Sequence, residues 1–183
     1  MANEPTAEKI DSIIFLAGGC FWGLEKALSV IKGVTETECG YANGYDMIFP
    51  DYMTVCSGRF GFCEVVKVCY DPDMIGLERI LDVFFMVIDP TQENRQGNDH
   101  GVQYRTGIYW IDELDGNKIK TYVENERKKH REFYTESIPL QNYFPAEEYH
   151  QDYLEKNPGG YCHISRSEIE HIRKMFSDDP SLK

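Results

Sequence analysis

An apolar, β-rich run, Ser12-Ile13-Ile14-Phe15-Leu16-Ala17, gives way at Gly18-Gly19-Cys20 to a helical pattern, and this switch constrains the chain more than any other stretch. From Phe21 to Lys32 the apolar residues Leu24, Ala27, Leu28 and Ile31 fall at helical spacing before Gly33 ends the run. The segment therefore reads as strand, tight turn and helix. The two glycines let the backbone turn sharply and leave room for another molecule to approach the Cys20 sulfur. A cysteine on the first helical turn sits among free N–H groups at the positive end of the macrodipole, which favours thiolate and pulls the pKa below the free value of about 8.5. Cys20 is thus expected to be a nucleophile, with Phe21 and Trp22 as large apolar surfaces beside it. A core cysteine with two packing aromatics is the alternative reading.

A chain of 183 residues fits a single domain, 1–183, with a tail at 1–10 and a helical extension at 163–183. Nineteen Lys and Arg against 31 Asp and Glu give a net charge of −12, which repels nucleic acid and anionic membrane surfaces and favours a monomer. The first residues show no basic segment followed by an apolar one. The longest apolar run, Ile13 to Leu24, is 12 residues against the roughly 20 needed to span a bilayer, so a cytoplasmic protein is expected. In that compartment the six cysteines are reduced thiols rather than a disulfide framework. No Cys-x-x-Cys or His-x-x-x-His pair occurs, which argues against a metal.

Further along, Val34 to Cys39 alternates as a half-exposed strand and Gly40-Tyr41 breaks it, opening a long aromatic loop to about Gly61. Cys63 to Tyr70 is a valine-rich strand, Leu77 to Val87 a helix ended by Asp89-Pro90, and Thr91 to Thr106 a polar loop. Thr106 to Ile111 reads as a strand, Asp115-Gly116-Asn117 as a turn, Lys118 to Tyr134 as a helix and Ile138 to Leu140 as a last strand. Helices are expected at Ala146 to Lys156 and Ser165 to Phe176, the latter opened by a Ser165/Glu168 capping box. The order β-α-β-β-α-β predicts an α+β fold, a ferredoxin-like two-layer α/β sandwich with a mainly antiparallel sheet and long irregular loops.

Gly19-Cys20-Phe21-Trp22-Gly23 resembles the signature of the type A peptide methionine sulfoxide reductases. So do Gly40-Tyr41-x-x-Gly44, Glu64-Val65-Val66-x-Val68-x-Tyr70-Asp71-Pro72, and the polar stretch Asn94-Arg95-Gln96-Gly97-x-Asp99-x-Gly101-x-Gln103-Tyr104-Arg105. Ala146-Glu147-x-Tyr149-His150-Gln151-x-Tyr153 and Gly160-Tyr161-Cys162 complete a set that spans most of residues 12 to 162. The resemblance implies the same sandwich and a thiol-dependent reduction of methionine-S-sulfoxide, free or in proteins. Cys20 would be the nucleophile, Glu64 the acid that protonates the sulfoxide oxygen, and Tyr52 and Tyr104 hydrogen-bond donors to it. Asp99 would support the site, and Phe21 and Trp22 would hold the S-methyl group. The Cys20 sulfenic acid would be resolved by Cys162 and reset by thioredoxin, with no bound cofactor.

Some positions depart from the family. Phe60, Phe62 and Cys63 stand where it usually has Thr, His and a small residue, Ile88 replaces a histidine and Asn43 a glycine. Phe60 and Phe62 are expected to make the surroundings of Glu64 more apolar and keep it protonated. Cys56 and Cys63 are further thiols that could resolve Cys20. Two other readings stay open: a thiol redox sensor, and a Cys-His hydrolase using Cys20 with one of His100, His130, His150, His163 or His171.

Overall fold

The computed structural model describes residues 11–177, so the expected 1–10 tail and the end of the 163–183 extension lie outside the described residues. The expected strand, turn and helix are present as β1 (Ser12–Gly18) and α1 (Phe21–Ser29). Then come β2 (Val34–Ala42), a short α2 (Tyr52–Cys56), β3 (Cys63–Tyr70) and α3 (Leu77–Val87). A small hairpin of β4 (Arg95–Gln96) and β5 (Asp99–His100) and a 3-10 turn at Val102–Tyr104 lead into β6 (Thr106–Trp110) and α4 (Glu113–Arg127). The chain closes with β7 (Glu136–Pro139), β8 (Tyr143–Pro145), a 3-10 turn at Glu148–His150, α5 (Tyr153–Lys156) and α6 (Arg166–Met175).

Six strands form one sheet in the order β7-β6-β1-β3-β2-β8. It is a mixed sheet rather than the mainly antiparallel one expected, because β7 runs parallel to β6. The cause is α4, which carries the chain back along the sheet before β7 begins, as a crossover to a parallel neighbour requires. Alternation along β1 sends Ile14 and Leu16 to the helix-covered core with Leu24, Leu28, Val66, Ile80 and Phe84. Phe15 and Ala17 face the other way, into a smaller cluster with Cys63, Val65 and Tyr109.

Two glycines read as chain breakers sit inside regular elements. Gly40 continues β2 into its ladder with β8, and the ring of Tyr143 occupies the space its Cβ would need. Gly116 lies within α4, where the Trp110 indole fills the corresponding space, so the expected turn at 115–117 is helix. α4 also starts earlier than expected, at an Asp112 cap that accepts from Leu114 N at 2.7 Å, and stops at Arg127 rather than Tyr134. The helix expected over 146–156 is broken at Asp152, which takes a left-handed φ of 51°. The Ser165/Glu168 capping box is formed as expected. Among the described residues no helix is long and apolar enough to cross a membrane.

Removing the Asp112 cap by Asp112→Ala should cost about 1 kcal/mol, read as a lower midpoint in urea unfolding. An unchanged midpoint would place the start of α4 elsewhere.

Candidate active site

The two middle strands bring the site together. β1 and β3 are antiparallel with Leu16 opposite Val66, so the end of β1 meets the start of β3. Gly18 pairs with Thr106, just after Tyr104, and Tyr41 pairs with Glu64. Cys20, Glu64 and Tyr104 therefore converge at one end of the sheet. Cys20 is the N-cap of α1 and follows Gly19, whose φ of +79° is the left-handed conformation that favours glycine.

The helix start does not serve the thiol as the sequence suggests. One of its free N–H groups, that of Phe21, donates to the Glu64 carboxylate at 2.9 Å. Cys20 itself is only 7 % exposed. Burial pushes its pKa well above the usual value, the Glu64 charge adds to this, and the Trp22 N–H offsets only part. The expected thiolate is thus a resting thiol, because desolvation outweighs the macrodipole. Glu64, 2 % exposed, is pushed up to about 8 by burial, with the Phe21 N–H opposing and Asp99 adding to the rise. It is a neutral acid at pH 7.

Tyr52 and Tyr104 join this group. Burial raises both phenols, and the charges of Glu64 and Cys20 act on each of them, so both stay protonated as donors. Asp99 accepts from the Tyr161 hydroxyl at 3.0 Å, tying the β4–β5 hairpin to the segment that carries Cys162. Cys162 is half-buried and donates to the Ile164 carbonyl at 2.8 Å. Its sulfur lies 2.9 Å from where a Cβ on Gly23 would be, so it packs directly on α1 one turn beyond Cys20.

Phe21 and Trp22 part company. Phe21 is fully buried, with its ring 5.0 Å from that of His150 and 5.9 Å from that of Tyr41. Trp22 is half-buried, stacks on Tyr153 at 3.7 Å and donates its indole N–H to His150 Nδ1 at 3.1 Å. Burial lowers the His150 pKa, so the ring is neutral and carries its proton on Nε2, 3.8 Å from Glu147. Burial works against the Glu147 charge, but hydrogen bonds from the Tyr41 hydroxyl at 2.7 Å and the Tyr52 N–H at 2.9 Å hold it below the usual carboxylate range. The sequence places Glu147 and His150 within one motif, offers His150 only as one of five candidate hydrolase partners of Cys20 and assigns Glu147 no role. Their three-residue spacing was the available signal.

The remaining thiols separate. Cys56 lies beside Tyr52 at the rim. Cys63 points through the opposite face of the sheet from Glu64, within 3.5 Å of the Tyr109 hydroxyl, and is fully buried. Phe62 packs against Gly44 and, edge-on at 5.9 Å, against Phe144, while Ile88 fills the space above Gly18. Among the described residues no cluster of three His, Cys, Asp or Glu could hold a metal. What converges is a thiol, a neutral carboxylic acid and two phenol donors beside a fixed indole, a set suited to attack on a polar centre whose oxygen is protonated in place.

A family model described as peptide methionine sulfoxide reductase matches residues 12–179. The peptide methionine sulfoxide reductase MsrA of Clostridium botulinum (strain Okra) is 53% identical over 152 residues, 82% of this chain and 96% of that protein. The reduced form of Mxr1 from Saccharomyces cerevisiae superposes with a TM-score of 0.81 at 36% identity, covering 90% of this chain and 94% of that one. Mxr1 in complex with Trx2 matches with a TM-score of 0.57 at 27% identity, over 84% of this chain and 89% of that one.

The Glu64 carboxyl should show a protonated C=O infrared band at pH 7 that disappears as pH rises through about 8. Glu64→Gln should lack this transition, and a band absent at pH 7 in the parent would show that Glu64 is ionised.

Proposed function

The chain belongs to the peptide methionine sulfoxide reductase family and reduces methionine-S-sulfoxide through a thiol, and on that premise we propose how its own residues do so. Tyr52 and Tyr104 donate hydrogen bonds to the sulfoxide oxygen, and Glu64 gives it a proton. Cys20 attacks the sulfoxide sulfur. As Glu64 becomes a carboxylate it takes the Cys20 proton, so acid and nucleophile exchange one proton between them. Methionine leaves and the oxygen stays on Cys20 as sulfenic acid, the substrate sulfur gaining the two electrons that Cys20 loses. Trp22, held at its N–H edge by His150 and on one face by Tyr153, presents a rigid surface to the S-methyl group, with Phe21 behind it. Asp99 steadies the site through Tyr161.

The single observation that carries this reading is the buried Glu64 carboxyl, neutral at pH 7 and bonded to the N–H of the residue after Cys20. Cys162, packed on the helix that Cys20 caps, is the resolving thiol, and its condensation with the sulfenic acid releases water. Cys56 is the second thiol in reach; Cys63 would have to cross the sheet. Thioredoxin is the reductant that reopens the disulfide, a reading supported by the similarity to Mxr1, which forms a complex with Trx2. The same reading keeps 1–183 as one domain, a cytoplasmic monomer with no bound cofactor. The strand order β6-β1-β3-β2 supports reading its β-α-β-β-α-β core as ferredoxin-like.

Reduced protein mixed with racemic methionine sulfoxide and no reductant should yield one equivalent of methionine from the S epimer and a Cys20–Cys162 disulfide by mass spectrometry. No methionine would overturn the assignment, and a Cys20–Cys56 disulfide would reassign the resolving thiol. Because Glu64 acts in its protonated form, kcat should fall as pH rises through about 8. Glu64→Gln should lower kcat by about 10²- to 10⁴-fold and remove that limb. A kcat that rises across this range would exclude Glu64 as the acid.

A further inference from the structure

His163 follows Cys162 directly, and the steps above give it no part. Both of its ring nitrogens are shielded from solvent without a hydrogen-bond partner, although the Gly18 carbonyl draws on the ring. Its surroundings are specific. On one side Nδ1 is 3.3 Å from where a Cβ on Gly23 would be, and the Cys162 sulfur lies 2.9 Å from the same point. On the other, Nε2 is 3.2 Å from the Cβ position of Gly19. Gly19 and Gly23 flank Cys20 in the turn and helix that hold it, so the imidazole lies along the backbone that carries one thiol, and the sulfur of the other packs on the same Gly23.

A shielded polar group without a partner is unfavourable at rest and suits a partner that arrives during the reaction. Asp99 and Glu168 are the carboxylates that act on the ring, and burial outweighs them both, leaving a neutral imidazole with a free lone pair. Cys162 needs such a base. Its thiol is raised by burial and rests against the Ile164 carbonyl, so little thiolate is present at pH 7.

Resting on the reductase reading, we propose that His163 is the proton shuttle of the disulfide-forming step. It takes the proton from Cys162 as that sulfur attacks the Cys20 sulfenic acid. The new S–S bond forms as the Cys20 S–O bond breaks, and the proton passes to the departing hydroxyl, which leaves as water. Cys162 is oxidised from thiol to disulfide level while the Cys20 sulfur is reduced from sulfenic acid to the same level, so no further reductant enters.

The test follows methionine release and disulfide formation separately after mixing reduced protein with excess methionine sulfoxide, without thioredoxin, and traps sulfenic acid with dimedone. In His163→Gln the disulfide should form at least tenfold more slowly than in the parent, with methionine released well ahead of it and dimedone labelling at Cys20. The pH profile of the disulfide step separates proton transfer from packing. In the parent it should rise through a pKa below about 6.5 and then level, whereas in His163→Gln it should climb about tenfold per pH unit towards the Cys162 thiol. That parent profile can be read even if the variant does not fold. A disulfide rate unchanged in His163→Gln, or a parent profile that follows the Glu64 pKa of about 8, would overturn the proposal. Absence of methionine in the parent would instead sink the reductase reading itself.

Discussion

The site depends on one hydrogen bond, from the Phe21 N–H at the start of α1 to the Glu64 carboxyl at the start of β3. It spends a donor of the helix terminus on an acid rather than on the thiol that caps the same helix. A carboxyl with 2 % exposure would be costly to keep ionised, and one N–H is too little to repay that cost, so the group stays neutral near pH 7. The same bond fixes where its proton sits. It joins the helix that carries Cys20 to the strand beside β1, and so holds acid and nucleophile at one end of the sheet whatever the surrounding loops do.

Around this pair the structure spends its aromatic residues on rigidity. Trp22 is fixed by a hydrogen bond to His150 and by stacking on Tyr153. Glu147 ties Tyr41 of β2 to the first residue of α2, which brings Tyr52 over the site. Gln151 closes the same segment, bonding both the N–H and the carbonyl of Cys39 at 2.8 and 2.9 Å. The stretch from 146 to 151 thereby acts as a strap across β2 and α1.

The strand, turn and helix around Cys20 were legible because the hydrophobic period changes from two to 3.6 within a few residues. The family resemblance pointed to Glu64, Tyr52, Tyr104, Asp99 and Cys162, and the structure gathers them at one end of the sheet. What could not be read depends on tertiary neighbours. Gly40 and Gly116 signal breaks by composition, yet each is a glycine because an aromatic ring from another element lies against it. The parallel placement of β7 follows from α4, which runs from Glu113 to Arg127 rather than from Lys118 to Tyr134. The depressed pKa expected for Cys20 fails for the same kind of reason: helix position can be read from sequence, but burial depth cannot.

That last difference bears on what the cysteine can be used for. A redox-sensing thiol reacts with oxidants in proportion to its thiolate fraction and its exposure, and Cys20 is poor in both. Peroxide would meet a closed, protonated sulfur. On the proposed mechanism, a sulfoxide that enters the site brings an oxygen able to take the Glu64 proton, and the carboxylate so formed is the base that activates the thiol. Cys20 is then switched on by the substrate it attacks. An ester or amide entering a Cys-His hydrolase would need an imidazole placed to take the Cys20 proton at the outset; His150 is engaged by Trp22, neither ring nitrogen of His163 is hydrogen-bonded to Cys20, and the acid beside Cys20 is Glu64. A resting thiol beside a neutral carboxylic acid thus selects for substrates that carry a basic, transferable oxygen, which is the chemistry of a sulfoxide rather than of an acyl group or a diffusing oxidant.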